Sequence, residues 1–64
     1  MNDQVQIRTA SRQMSFVHQA YSNVYIHMQQ LEIAHQHLNE AIKLANDIMQ
    51  NWILLALLER KMGR

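Results

Sequence analysis

Apolar side chains recur along this chain at alternating intervals of three and four residues. His35 is the one polar member of this heptad row, which comprises Ile7, Ala10, Met14, Val17, Tyr21, Val24, Met28, Leu31, His35, Leu38, Ile42, Ala45, Met49, Trp52 and Ala56. Because the mean interval is 3.5 residues, one side of an α-helix carries every member of the row. The pattern predicts an all-α protein.

A second set of apolar residues lies off the heptad row. It consists of Phe16, Tyr25, Ile26, Ile33, Ala34, Ala41, Leu44, Ile48, Ile53, Leu54, Leu55, Leu57 and Leu58. A two-stranded coiled coil would leave much of this set exposed, so the width of the apolar surface favours helices packed on two sides, as in a bundle or a stacked hairpin. The alternative is one long coiled-coil helix with the heptad row as its seam.

Few residues in the interior would interrupt a helix. The chain has no proline, and its one glycine is Gly63. Gly63 follows Lys61 and Met62 and therefore predicts a helix C-terminal cap, while Asp3 followed by Gln6 predicts a capping box at the first helix.

Length and composition limit the possible classes of protein. Sixty-four residues make one small domain at most, and so short a chain usually gains stability by association when it lacks disulfides. There is no cysteine, the formal net charge is +1, and the longest apolar run, 52–58, is too short to span a bilayer. We expect a cytoplasmic protein that binds neither nucleic acid nor membrane.

The run from Tyr21 to Asp47 carries the residue types of a helix–turn–helix repeat. The large, small and polar residues that match are Tyr21, Ser22, Asn23, Tyr25, Leu31, Glu32, Ala34, Leu38, Ala41, Ile42 and Leu44. In this order they resemble one tetratricopeptide repeat (TPR), whose period is 34 residues. Gln29 and Gln30 stand where the family usually has Gly-Asp.

A partial second copy follows. Trp52 matches the family's signature tryptophan, Leu55 and Ala56 match its Leu-Gly pair, and Gly63 matches its turn glycine. Tyr21 and Ser22 lie 34 residues before Leu55 and Ala56, as the repeat requires. About one and a half repeats are therefore present, with His18 in place of the first tryptophan.

The resemblance implies a helical hairpin followed by a third helix. We predict helices over 15–28, 30–45 and 48–62. The corresponding segments are an N-terminal helical extension (1–14), a TPR-like helix–turn–helix (15–47), and the first helix of a partial second repeat or a capping and dimerisation helix (48–64).

The resemblance also implies a protein–protein interaction module that binds a peptide or an amphipathic partner helix. Carried over to this chain, the groove-facing residues of the first repeat helix are Phe16, Gln19, Asn23, Ile26 and His27. The third helix has more apolar residues than one hairpin can cover, so we predict a homodimer or other homo-oligomer. The residues expected to self-associate are Trp52, Ile53, Leu54, Leu57 and Leu58. The alternative function is a structural coiled-coil subunit without a peptide groove.

Catalytic and metal chemistry find little support in the sequence. No close pair of acids, nucleophile turn or glycine-rich phosphate loop is present, so we expect no enzyme and no cofactor. Of four histidines, His35 and His37 are two residues apart and should point in different directions on a helix, so we expect no metal site. His35 lies on the heptad row, and we expect its protonation below about pH 6 to loosen the assembly.

Overall fold

The computed structural model describes the backbone of residues 3–63 and the side chains of residues 6–63. These residues form three helices and no strand: α1 (Asp3–His27), α2 (Leu31–Leu44) and α3 (Met49–Lys61). The prediction of an all-α chain with a helical hairpin and a third helix is confirmed, and the alternative of one long helix is wrong. Residues 3–14 continue α1 without a break. The predicted cap at Asp3 lies outside the described side chains.

The first turn is built without the glycine that such turns usually have. Gln29 adopts a left-handed conformation, with φ of 63°. The amide of Gln30 donates to the Tyr25 carbonyl (2.8 Å) and that of Gln29 to the Ile26 carbonyl (3.0 Å). This pair of hydrogen bonds is a Schellman motif, in which glycine normally takes the left-handed position. The turn therefore reverses the chain at the predicted place, at the cost of some strain in Gln29.

The ends of α2 and α3 lie close to the positions predicted from the sequence. Ala45, directly after α2, and Ile48, directly before α3, both have an extended backbone conformation. Gly63 has φ of 78° and donates its amide to the Arg60 carbonyl, so the predicted C-terminal cap is confirmed. The observed limits of α2 and α3 lie within one residue of those predicted.

The core of the molecule is small. Its fully buried apolar residues are Ala34, Leu38, Ala41 and Leu58. Partly buried residues surround them, namely Tyr25, Ile26, Leu31, Ile42, Leu54, Leu55 and Met62. α2 lies in the middle of this arrangement, because α1 and α3 both pack against it.

Candidate interaction surfaces

The packing of α1 is the reverse of what the heptad row suggests, because its apolar side is exposed and a side that carries serines is buried. Ser15 and Ser22, seven residues apart on one side of the helix, have no exposed surface. The large apolar members of the heptad row on α1, and Met28 directly after its last residue, are exposed by 42–64%: Ile7, Met14, Val17, Tyr21, Val24 and Met28. We call these six residues, with Ala10, the α1 row. α1 thus buries serines and presents its apolar side to solvent.

A chain of hydrogen bonds explains why a serine face can be buried. The Ser15 hydroxyl donates to the Ala41 carbonyl of α2 (2.7 Å) and accepts from Asn51 Nδ2 of α3 (2.9 Å). Gln19 Nε2 in turn donates to Asn51 Oδ1 (2.8 Å). Buried polar groups that are paired in this way cost little and fix the relative positions of their helices. Ser15 and Asn51 therefore set how all three helices meet.

Ser22 differs from Ser15 although it is equally buried. Its hydroxyl oxygen has no hydrogen-bond partner in the structure. An unpaired buried hydroxyl loses its bonds to water without replacement, which is unfavourable for folding. Its small size still allows α1 and α2 to approach closely, which a large apolar residue would not.

Aromatic rings and imidazoles fill the α1–α2 interface beside the serines. His18 Nδ1 and His37 Nδ1 are 3.1 Å apart, so one ring donates a hydrogen bond and the other accepts it. The His37 ring also stacks on the Tyr25 ring, with centroids 5.5 Å apart and an angle of 5° between the planes. The centroids of the His37 and Tyr21 rings are 5.1 Å apart. Because the two imidazoles use these nitrogens for each other, they join α1 to α2.

His35 points away from His37, as predicted, and meets a different helix. Its Nε2 contacts Oε1 of Glu59 on α3, and its Nδ1 contacts the Asn39 side-chain amide at 3.1 Å. A protonated His35 ring would face the Glu59 carboxylate and form an ion pair with it. The loosening of the assembly by acid stays a prediction.

An exposed ion pair joins α1 to the turn between α2 and α3. Arg12 Nη1 donates to both carboxylate oxygens of Asp47 at 2.8 Å. Both side chains are largely solvent-exposed, so the pair is expected to contribute well under 1 kcal/mol. It ties the N-terminal half of α1 to the α2–α3 turn.

The structure does not gather the five predicted partner-binding residues into one free surface. Phe16, Asn23 and His27 are exposed on α1. Gln19 is engaged by Asn51, and Ile26 packs against the core. Phe16 is therefore the one large apolar residue that this predicted groove still offers to a ligand.

The predicted self-association residues divide into two groups. Trp52, Ile53 and Leu57 are about half-exposed, and with Met49 (74% exposed) they form what we call the α3 face. Leu54 is partly buried against the core, and Leu58 has no exposed surface. In this conformation α3 turns the Leu58 side chain into the core of its own chain, and its role in self-association stays a prediction.

The α1 row is the surface that sequence reasoning did not assign. Its signal was present in the heptad spacing, but the same spacing continues through α2 and α3 and was attributed to one long seam. Which segment of the row would be free could be seen only after the helices were packed. The α1 row and the α3 face are the two large apolar surfaces among residues 6–63.

Two further properties of the described residues bear on the possible sites. Among them no three His, Cys, Asp or Glu residues cluster closely enough to hold a metal ion. Within residues 3–63, no helix combines the length and apolar character needed to cross a membrane.

Comparison with known proteins adds no relative. No protein family, no curated protein and no solved structure matches this chain. The TPR resemblance accordingly depends on the residues quoted for it above.

Proposed function

We propose that this chain is a protein–protein interaction module of the TPR type, which binds an amphipathic helix of another chain on its α3 face. The supporting observation is the exposure of Trp52, Ile53 and Leu57, with Met49, on the side of α3 opposite its buried residues Asn51 and Leu58. Isolated exposed apolar residues need no explanation, but a contiguous set is typical of an interaction surface. A cytoplasmic location remains part of this proposal.

The order of packed helices supports α3 as the binding surface. α1 packs on α2, and α2 packs on α3, so each added helix covers the previous one. In repeat proteins a terminal helix needs either a polar outer side or a further helix. The α3 face is apolar, and a fourth helix laid along it would continue the same stacking.

The chemistry of the α3 face defines the partner. Its exposed side chains are spaced three and four residues apart, which matches the apolar row of an amphipathic helix. Arg60 and Lys61 are exposed at the last turn of α3, next to this face. The favoured partner is therefore a helix whose apolar row is bordered by acidic residues. The α3 of a second copy, which the sequence analysis predicted as the partner, is tested by the same measurement.

A binding experiment can use the only tryptophan of the chain as its reporter. Trp52 is 48% exposed, so a helix that covers the α3 face should shift its emission to shorter wavelength. The probe is a tryptophan-free synthetic helix of about 20 residues with leucine at the apolar positions and glutamate beside them. We expect a saturable shift with this probe and none with a scrambled peptide of equal composition.

Matched variants locate the binding surface. Ile53→Glu with Leu57→Glu should abolish the shift, whereas Gln50→Glu, which adds one glutamate at an exposed polar position of α3, should preserve it. Light scattering on the peptide-free protein reports self-association through the same face if Ile53→Glu with Leu57→Glu lowers the mass. A protein whose mass is the same with and without these two substitutions, and which shows no shift with the peptide, would contradict the proposal.

A structural role in a helical assembly is the second candidate function. The α1 row favours it, because an exposed heptad pattern is typical of helices that pair along their length. This role concerns another surface and does not exclude binding at α3.

A further inference from the structure

We infer that the α1 row is a dimer seam that pairs with the α1 row of a second copy, with the two helices antiparallel. The inference concerns a surface other than the α3 face and does not depend on what binds there. The inference rests on two observations: the apolar residues from Ile7 to Met28 keep heptad spacing, and the large ones among them are all exposed.

The spacing identifies the occupant of the α1 row as an α-helix. Residues 7 to 28 span about 32 Å of helix at 1.5 Å per residue, and the alternation of three and four is kept at every step. This is the period at which two helices can follow one another over several turns, with side chains of one between those of the other. A sheet or an irregular peptide has no such period.

The residues that flank the α1 row favour a second copy over a partner of opposite charge. The row is flanked on one side by Ser11, His18 and Tyr25, and on the other by Gln6, Gln13, Ala20 and His27. Neither flank carries Lys, Arg, Asp or Glu, so pairing with an identical row brings no permanent like charges together. Charged flanks would be expected in a seam that selects a different partner by charge.

The area of the α1 row is sufficient for a specific dimer. At ~200 Å² for a fully exposed large side chain, six half-exposed ones present roughly 600 Å² per copy and about 1,200 Å² in a pair, against the ~1,000 Å² expected of a specific interface. The small core of a single chain gives a reason for such pairing, because Leu38 and Leu58 are the only large apolar side chains with no exposure among the described residues.

The distribution of positive charge and the helix dipoles favour the antiparallel orientation. Arg8 and Arg12 both lie in the N-terminal half of α1. Because Arg12 is paired with Asp47, Arg8 carries most of this charge. Parallel pairing would bring two Arg8 side chains and two helix N-termini to one end, whereas antiparallel pairing separates them and places opposite dipole ends together. The N-terminal part of one row then lies beside the C-terminal part of the other.

Cysteine cross-linking tests both the seam and its orientation, because the chain has no cysteine of its own. Ile7 and Val24 are 17 residues apart, which is about 25 Å along the helix. In the antiparallel dimer Ile7→Cys should form a disulfide with Val24→Cys when the two variants are mixed and oxidised, and each variant alone should give little dimer. Asn23→Cys, whose side chain is exposed off the row, is the matched control for Val24→Cys and should not cross-link.

Other cross-linking patterns would overturn the inference. Efficient cross-linking of Ile7→Cys with itself would mean a parallel pair. Cross-linking of Ile53→Cys with itself, with none at residues 7 and 24, would place self-association on the α3 face instead. Absence of any cross-link would leave no role for the α1 row in pairing.

The non-covalent mass provides an independent readout. Light scattering should give twice 7.6 kDa for the unmodified chain and 7.6 kDa for Val17→Glu with Val24→Glu. Asn23→Glu adds one glutamate off the row and should remain a dimer. Circular dichroism checks that each variant is still helical. A Val17→Glu, Val24→Glu protein that is helical and still dimeric would contradict pairing along the α1 row.

Discussion

In α2 the heptad row residue Leu38 is buried and Leu31 and Ile42 are partly buried, whereas in α1 the large residues of the same row face solvent. The difference comes from position. α2 lies between two helices, so its row is covered, while α1 uses serines to pack on α2 and turns its row outward. A periodic apolar row thus shows that a face is suited to burial, but not whether its own chain will bury it.

Truncating one member of the heptad row in α2 and one in α1 should produce the largest difference in the free energy of unfolding. Leu38→Ala removes a fully buried side chain from the core, and we expect it to lower the free energy of unfolding by about 3 kcal/mol. Val17→Ala changes an exposed side chain and should cost less than about 1 kcal/mol. Urea denaturation followed by circular dichroism measures both. Equal losses that persist on dilution of the protein would contradict the contrast between the two helices.

The packed face of α1 can be tested at Ser15. Ser15→Ala leaves Asn51 Nδ2 without its buried acceptor and removes one of the two hydrogen bonds to the Ala41 carbonyl, which still accepts from the Ala45 amide. We therefore expect a loss of about 2 kcal/mol in the free energy of unfolding. The same urea measurement applies.

Ser22 is the matched control for Ser15, because it is the same residue type on the same face with the same burial. Ser22→Ala removes a hydroxyl that has no partner and places a better helix former in α1, so it should stabilise the protein by about 1 kcal/mol. If both substitutions had the same sign, the hydrogen-bonded network would not be what holds the packed face of α1.

An effect as small as that at Ser22 is expected at the turn that separates the exposed and buried parts of the heptad row. Gln29→Gly relieves a left-handed conformation that glycine adopts freely, and should raise the free energy of unfolding by about 1 kcal/mol. The neighbouring Gln30→Gly, at a residue with negative φ, should not stabilise. Destabilisation by Gln29→Gly would indicate that the helix continues through this position in solution.

Much of the fold could be predicted from the TPR resemblance together with local patterns. The limits of α2 and α3, the cap at Gly63 and the turn at Gln29 all agree with the sequence-based expectations. The core residues of α2 could be anticipated as well, because Ala34, Leu38 and Ala41 occur in an order of small and large residues that suits close helix packing. The turn was harder to place, because glutamines replace the residues that normally indicate it.

The surfaces were predicted less well. Leu58 was assigned to an interface and lies in the core, while the α1 row was not assigned to any surface of the folded chain. No pattern in the sequence indicated that Ser15 would meet Asn51, 36 residues away, or that these polar groups would be buried. Such contacts depend on which faces meet, and the choice among faces is not written in the spacing of any one helix.

Helix formation and helix limits depend on hydrogen bonds and side-chain preferences within a few residues, so the amino-acid order was enough to define α2, α3 and the cap at Gly63. The same order defined an apolar row with a period of 3.5 residues and hence its suitability for burial. Only the tertiary structure decided that α2 would bury its part of the row and α1 would leave its part exposed. The physical reason is that burial depends on contacts between residues far apart in the chain, such as Ser15 with Ala41 and Asn51.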